Sequence, residues 1–188
     1  MSIKISPVIF LKETLSSFLT EKLPFAISMI EIENYLDFLR RDDAPKHNQI
    51  QTWLCELFRI HLCDNNDRII NFPVISLPSL GKYHVFHPIS PAENIEKRKN
   101  IIKKQLGMLR NNFNSGFKEF FQKKEIDQGY FYCKDSRGKP ILMTINCMKI
   151  ACIIYLNENP RNIDDIFHYL DSYHRKAKGM DKLNFMVI

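Results

Sequence analysis

The chain has 188 residues, of which 45% are hydrophobic and 26% carry a charged side chain. This composition is typical of one or two small globular domains and excludes an intrinsically disordered chain. The formal net charge of +6 permits an acidic partner, although the same charge also simply favours solubility.

Several features bear on the compartment. The chain has five cysteines, an odd number without regular spacing. The N-terminus does not show the basic segment followed by a long apolar core that marks a signal peptide. The most apolar run, residues 141–156, contains Asn146 and Lys149 and is shorter than the roughly 20 residues that a spanning helix needs. We therefore expect reduced thiols, a cytoplasmic (intracellular) location and no transmembrane segment.

The first ninety residues predict three helices followed by a β-hairpin. Pro24 ends the first helix, and a capping box of Ser28 and Glu31 predicts the start of the second. The turn sequence at residues 78–81 separates two runs that are typical of strands. The predicted elements are helices over residues 6–23, 28–39 and 48–62 and strands over residues 68–77 and 82–87.

This order of elements is winged-helix-like, with the third helix as the DNA-recognition helix and the hairpin as the wing. On that interpretation Lys46, Asn48 and Gln49 would approach base edges or phosphates. Residues 28–90 are net acidic, however, and neutralisation of phosphate charge dominates affinity for nucleic acids. The same elements also suit a helical subdomain that packs on its own hairpin, without DNA binding.

The strongest helical pattern follows the capping sequence at residues 90–93, with apolar residues three and four apart from Ile102 to Phe120. A continuous helix over residues 91–126 would be about 50 Å long at roughly 1.5 Å per residue. Its basic residues Lys97, Lys104 and Lys118 fall opposite the apolar stripe. They predict a surface for a nucleic acid or an anionic membrane, with a merely solvated face as the alternative.

The last sixty residues predict a small sheet with one covering helix. A hairpin over residues 130–134 and 139–146, an apolar strand over 150–156, a helix over 162–179 and a strand over 182–188 follow in order. The strand–helix–strand return predicts that the last two strands are parallel neighbours. The turn at residues 135–141, DSRGKPI, resembles the turn that leads into the sheet of Sec14-like lipid-transfer domains, but no lipid site is transferred from it.

No residue grouping in the sequence identifies a reaction. His61, Cys63, His84 and His87 suggest zinc, but their spacing matches no compact finger, and strand alternation predicts His84 and His87 on opposite faces. No phosphate loop, nucleotide fingerprint or nucleophile elbow occurs in the sequence. We therefore predict no catalytic residues, no metal and no cofactor.

Together these patterns predict an α+β protein. A helical part with a hairpin over residues 1–90 would be joined by a long connecting helix over 91–126 to a small mixed sheet with one covering helix over 127–188. The leading hypothesis is a non-enzymatic interaction protein, an adaptor or chaperone-like binder whose partner is another protein. The alternative is a nucleic-acid-binding protein of winged-helix type, and an unrecognised enzyme is the third hypothesis.

Overall fold

A computed structural model describes residues 5–6, 8–45, 47–62, 74–145, 147–156, 162–180 and 184–187. The strands are β1 (Ile5–Ser6), β2 (Phe25–Ile32), β3 (Val74–Ser79), β4 (Lys82–Pro88), β5 (Tyr130–Lys134), β6 (Pro140–Thr144), β7 (Met148–Tyr155) and β8 (Asn184–Val187). The α-helices are α1 (Val8–Thr20), α2 (Tyr35–Leu39), α3 (His47–Leu62), α4 (Ile95–Gly116), α5 (Lys123–Gln128) and α6 (Ile163–Met180), with a 3₁₀ helix (Phe117–Phe120) after α4. The predicted α+β class is confirmed.

Six of these strands form one sheet in the order β1-β3-β4-β2-β7-β8, and β5 and β6 form a separate two-stranded sheet. The central strand β2 is antiparallel to both β4 and β7. The parallel pairing of β7 with β8 confirms the predicted strand–helix–strand return. The division of the chain into segments 1–90, 91–126 and 127–188 stays a prediction. The six-stranded sheet contains strands from both terminal segments.

The six-stranded sheet is covered on both faces. Side chains alternate between the faces of a strand, so Phe25, Ile27 and Met29 pack towards α1 and α6. Their neighbours Ala26 and Ile30 pack on the other face, among the side chains of α3 and α4. β7 is buried along its whole length, and its nearly continuous apolar run is typical of a strand that is covered on both faces.

The predicted helix over residues 28–39 is wrong. Residues 25–32 form the central strand β2, and only the short helix α2 follows. The run FAISMIEI is apolar on both of its alternating faces, and burial between two helical layers outweighed the local capping signal of Ser28 and Glu31. The winged-helix order of three helices and a hairpin is lost with that helix.

The continuous helix predicted over residues 91–126 is also broken. Helix α4 begins after Asn94, whose side chain accepts a hydrogen bond from the Lys97 backbone N–H at 2.9 Å. It ends at Gly116 and is followed directly by the 3₁₀ helix. The backbone is then extended at Phe121 before α5 begins. The break lets Phe117 and Phe121 turn into the core around Phe38. The apolar stripe is therefore buried as predicted, but by a bent chain.

Other local predictions are confirmed within a few residues, namely α1, α3, α6, β4 and the β5–β6 hairpin. The turn at residues 135–141 joins β5 to β6 and does not enter the six-stranded sheet, where the Sec14-like resemblance would place it. Within the described ranges, no helix combines the length and the apolar character that crossing a bilayer requires.

Candidate functional site

Charged side chains from three adjacent strands meet at one end of the six-stranded sheet. Glu31 on β2 is the direct cross-strand neighbour of Lys82 on β4 and of Lys149 on β7. Alternation places all three on the face that α6 covers. With Glu33, Asp171 and His174 they form what we call the strand-end cluster.

Each carboxylate of the strand-end cluster has a basic neighbour. Glu33 Oε1 lies 3.0 Å from Lys149 Nζ, and Glu31 Oε2 lies 3.3 Å from His174 Nδ1. The longer Lys82 Nζ–Asp171 Oδ1 contact measures 3.8 Å and joins the start of β4 to α6. Since Lys149 and His174 are buried, their pairs are shielded from water more than surface ion pairs are.

Backbone contacts hold the cluster in place. The Ile32 N–H donates to the Gly81 carbonyl at 2.8 Å, and the Glu33 N–H donates to the Cys147 carbonyl at 3.0 Å. The Cys147 thiol in turn donates to Glu33 Oε2 at 2.9 Å. Gly81 has a φ of +76°, and a Cβ there would lie 2.7 Å from Tyr35 Cβ. Only glycine therefore allows the hairpin turn to approach α2 this closely.

Two histidines of β4 lie under opposite helical layers, which confirms the alternation predicted for them. The His84 ring lies 5.1 Å from the Phe167 ring of α6, and burial lowers the pKa of His84 to about 4. His87 Nε2 lies 3.5 Å from Ser28 Oγ on the other face, where burial and the charge of Arg98 lower the pKa of His87 to about 3. Both imidazoles are therefore neutral at physiological pH.

The strand-end cluster has few groups available for metal or nucleophilic chemistry. Its carboxylates face lysine and histidine side chains, which take the place that a divalent cation would need. Among the residues that the structure describes, no group of three or more His, Cys, Asp or Glu side chains is arranged to hold a metal ion. The cluster is chemically a network of ion pairs that joins the sheet to α6.

The residues predicted to face an anionic partner do not come together in one site. Lys46 lies outside the described residues, and Asn48 and Gln49 are exposed in the first turn of α3. Lys97 and Lys104 are exposed on α4, on the side away from its buried stripe. Lys118 is exposed on the 3₁₀ helix, so the break after α4 separates it from the straight row that was predicted.

The strand-end cluster was not predicted from the sequence, because Ser28 and Glu31 together imitate a helix cap. A signal was present in the sequence, since residues 30–33 alternate as Ile-Glu-Ile-Glu at the end of an apolar run. That alternation is typical of a strand whose end is half covered. The partners Lys82, Lys149 and His174 carried no local signal, because pairing across the sheet brings them to Glu31.

No sequence-family model matches this chain, and no curated protein matches its sequence. Solved structures with the same fold do match. The GGDEF domain of DgcB from Caulobacter crescentus, in complex with c-di-GMP, is 8% identical with a TM-score of 0.56, covering 95% of this chain and 86% of that one.

Two longer proteins contain a similar domain. Diguanylate cyclase SiaD from Pseudomonas aeruginosa, in complex with its activator SiaC, is 7% identical with a TM-score of 0.57, over 98% of this chain and 59% of SiaD. The S helix-GGDEF-EAL segment of LapD from Vibrio cholerae, bound to c-di-GMP, is 12% identical with a TM-score of 0.60, over 98% of this chain and 35% of LapD. At these identities the likeness shows the fold alone.

This likeness overturns the functional hypotheses. The adaptor or chaperone-like binder and the winged-helix nucleic-acid binder are both wrong as leading and alternative functions, because the fold is like that of GGDEF domains. The predicted winged-helix-like arrangement depended on a helix over residues 28–39 that is the central strand here. Neither a nucleic-acid partner nor a membrane partner finds support in these neighbours.

Proposed function

We propose that this chain acts in cyclic-dinucleotide signalling as a GGDEF-fold domain that binds c-di-GMP and does not synthesise it. The observation that carries the proposal is the fold shared with two proteins whose structures contain c-di-GMP, the DgcB domain and LapD. A fold alone does not determine a function, so the ligand is taken from those proteins as a hypothesis to be tested.

The charges of the strand-end cluster support binding without synthesis. Joining nucleotides through phosphoryl chemistry ordinarily uses Mg²⁺ that is held by carboxylates. Here Glu33 lies against Lys149, and Glu31 lies against His174 with Lys82 as its cross-strand neighbour. Binding of Mg²⁺ by these carboxylates would require these pairs to break. The sequence also contains neither the GGDEF nor the GGEEF pentapeptide for which the neighbouring domains are named.

The exposed side of α4 is our candidate for the contact with c-di-GMP. Lys97 and Lys104 are seven residues apart, so they project from the same side of the helix about 10 Å from each other. Lys103 is exposed beside them, and within the described ranges none of these three lysines forms an ion pair. Such unpaired lysines attract an anion with phosphate groups, although each is a flexible point charge.

Titration calorimetry with c-di-GMP tests the proposal on the whole chain. We expect the wild-type chain to bind, and the variant Lys97→Glu/Lys104→Glu to bind at least about tenfold more weakly because two attractions become repulsions. A charge-matched control, Lys12→Glu/Lys123→Glu, changes two exposed lysines elsewhere and should leave the affinity unchanged.

Two results would contradict the proposal in different ways. Absence of any binding to c-di-GMP would refute the proposed ligand. Unchanged affinity of the Lys97→Glu/Lys104→Glu variant would refute the proposed contact with α4 but not the ligand. Incubation with GTP and Mg²⁺, followed by chromatography of the nucleotides, tests the proposal that the chain does not synthesise c-di-GMP. Formation of c-di-GMP above the level of a heat-denatured sample would show that the chain synthesises it.

A protein partner is compatible with this function. SiaD, which shares the fold, was solved with its activator SiaC. The support for a partner of this chain lies in its own surface and is independent of c-di-GMP.

A further inference from the structure

The outer face of the β5–β6 hairpin carries an apolar pair. Tyr132 and Leu142 are direct cross-strand neighbours and are 63% and 53% exposed. Alternation turns Phe131 and Cys133 the other way, into the core beside Phe121. The hairpin therefore has one face that completes the core and one face, which we call the hairpin face, with two large apolar side chains in water.

The hairpin is attached to the rest of the fold by polar contacts as well as by its inner apolar side chains. The Asn34 side-chain amide donates to the Thr144 carbonyl at 3.2 Å, and Lys134 Nζ lies 2.8 Å from Asp42 Oδ2. A two-stranded sheet alone is only marginally stable in water, so these ties and the inner apolar side chains hold the hairpin in place. A rigid surface loses little conformational entropy when a partner binds it.

The rim of the hairpin face is basic. Arg137 and Lys139 are exposed at the turn, and within the described part of the chain neither side chain forms an ion pair. The nearest acid in sequence, Asp135, is engaged in the turn itself, since its Oδ1 accepts the backbone N–H groups of Arg137 and Lys139 at 2.8 Å. With Lys134 already paired to Asp42, the Arg137 guanidinium and the Lys139 ammonium group remain at the turn end of the hairpin without an ion-pair partner among the described residues.

We propose that the hairpin face is a docking site for an acidic segment of another protein that also carries aromatic or aliphatic side chains. The apolar pair would supply the desolvated centre of the contact, and Arg137 and Lys139 would meet the partner's carboxylates at its rim. A second copy of this chain is a poor occupant, because a symmetric contact brings the same basic rim against itself.

A random copolymer of glutamate and tyrosine is a suitable probe, because it presents carboxylates and aromatic rings on a flexible chain. We expect its labelled form to bind to the wild-type chain in an anisotropy titration, polyglutamate to bind more weakly, and a lysine–tyrosine copolymer not to bind. We expect Tyr132→Ser/Leu142→Ser and Arg137→Glu/Lys139→Glu each to weaken binding about tenfold or more. All four side chains are exposed, so the variants keep the fold, which circular dichroism checks.

Matched controls separate a site from general charge attraction. Ile9→Ser/Ile60→Ser removes two equally exposed apolar side chains elsewhere, and Lys12→Glu/Lys123→Glu reverses two exposed lysines outside both proposed binding surfaces. Both controls should bind the copolymer as the wild type does. Weakening by the lysine control as large as that by Arg137→Glu/Lys139→Glu would overturn the proposal, as would full binding by Tyr132→Ser/Leu142→Ser.

Two further measurements distinguish other occupants. Light scattering of the wild-type chain should show a monomer, and a dimer that disappears in Tyr132→Ser/Leu142→Ser would overturn the proposal in favour of a second copy. Addition of c-di-GMP should leave the bound copolymer in place. Its competitive displacement would assign the hairpin face to the nucleotide instead.

Discussion

Arg41 offers the sharpest test of how the segment after α4 is held. Its side chain is 3% exposed and lies 2.9 Å from Asp43 Oδ2 and 3.0 Å from Glu125 Oε2 of α5. Its guanidinium carbon also lies 5.0 Å from the centre of the Phe121 ring. We expect Arg41→Met, which keeps the length and apolar stem of the side chain, to remove the ionic contacts while filling most of the space.

The magnitude follows from what is left behind. Removing one partner of a buried ion pair costs about 3–5 kcal/mol when the remaining charge stays buried. Here Asp43 is 53% exposed and can be hydrated, and Glu125 is 19% exposed and still accepts the Gln122 backbone N–H at 2.9 Å. The expected loss of unfolding free energy is therefore smaller, about 2–3 kcal/mol, which is a large share of the roughly 5–15 kcal/mol of a typical domain.

Urea unfolding followed by fluorescence of the single Trp53 measures this loss, because the Trp53 ring lies 5.9 Å from the Phe117 ring, close to the docked segment. The neighbouring Arg40→Met is the control, since Arg40 is 46% exposed and forms a surface pair with Asp37. It should change the unfolding free energy by less than about 0.5 kcal/mol. Equal effects of the two substitutions, or a loss below about 1 kcal/mol for Arg41→Met, would refute the reasoning.

Two further predictions concern the turn between β3 and β4 and the buried histidines. Gly81→Ala should lower the unfolding free energy by about 2–4 kcal/mol, because the new Cβ meets Tyr35 and the backbone φ is positive, whereas Gly138→Ala, with a similar φ of +77° and open space, should cost about 1 kcal/mol. Thermal unfolding of both variants checks this difference, and similar losses would show that the Tyr35 contact is unimportant. The folded-state pKa values of His84 and His87, about 4 and about 3, lie below the unfolded value near 6.5. At pH values between the folded-state and the unfolded-state pKa, the unfolded chain therefore binds more protons than the folded chain does. Their contribution to the free energy of unfolding is therefore complete above pH 6.5. As the pH falls from there to about 5, urea unfolding should show that each histidine lowers the unfolding free energy by about 1.4 kcal/mol per pH unit. A stability that stays flat between pH 6.5 and pH 5, or falls as steeply in a His84→Gln/His87→Gln variant, would contradict this.

Local sequence patterns determined much of the secondary structure. Helix α3 and helix α6 follow from apolar residues three and four apart, and β7 follows from an uninterrupted apolar run. These predictions hold because the pattern that forms each element is the one that buries it. The pattern failed at β2, where residues 25–30 of a strand covered on both faces do not alternate and the pair Ser28 and Glu31 imitates a helix cap.

Only the tertiary structure decided which distant residues meet. The strand-end cluster exists because the register of β2 with β4 and β7 brings Lys82 and Lys149 to Glu31, and register depends on packing of the whole sheet. The bend after α4 likewise depends on Arg41 and the aromatic core around Phe38, which no pattern within residues 91–126 encodes. The sequence by itself determined elements and their buried faces, whereas the charge pairs of the strand-end cluster arose from contacts between residues far apart in the chain.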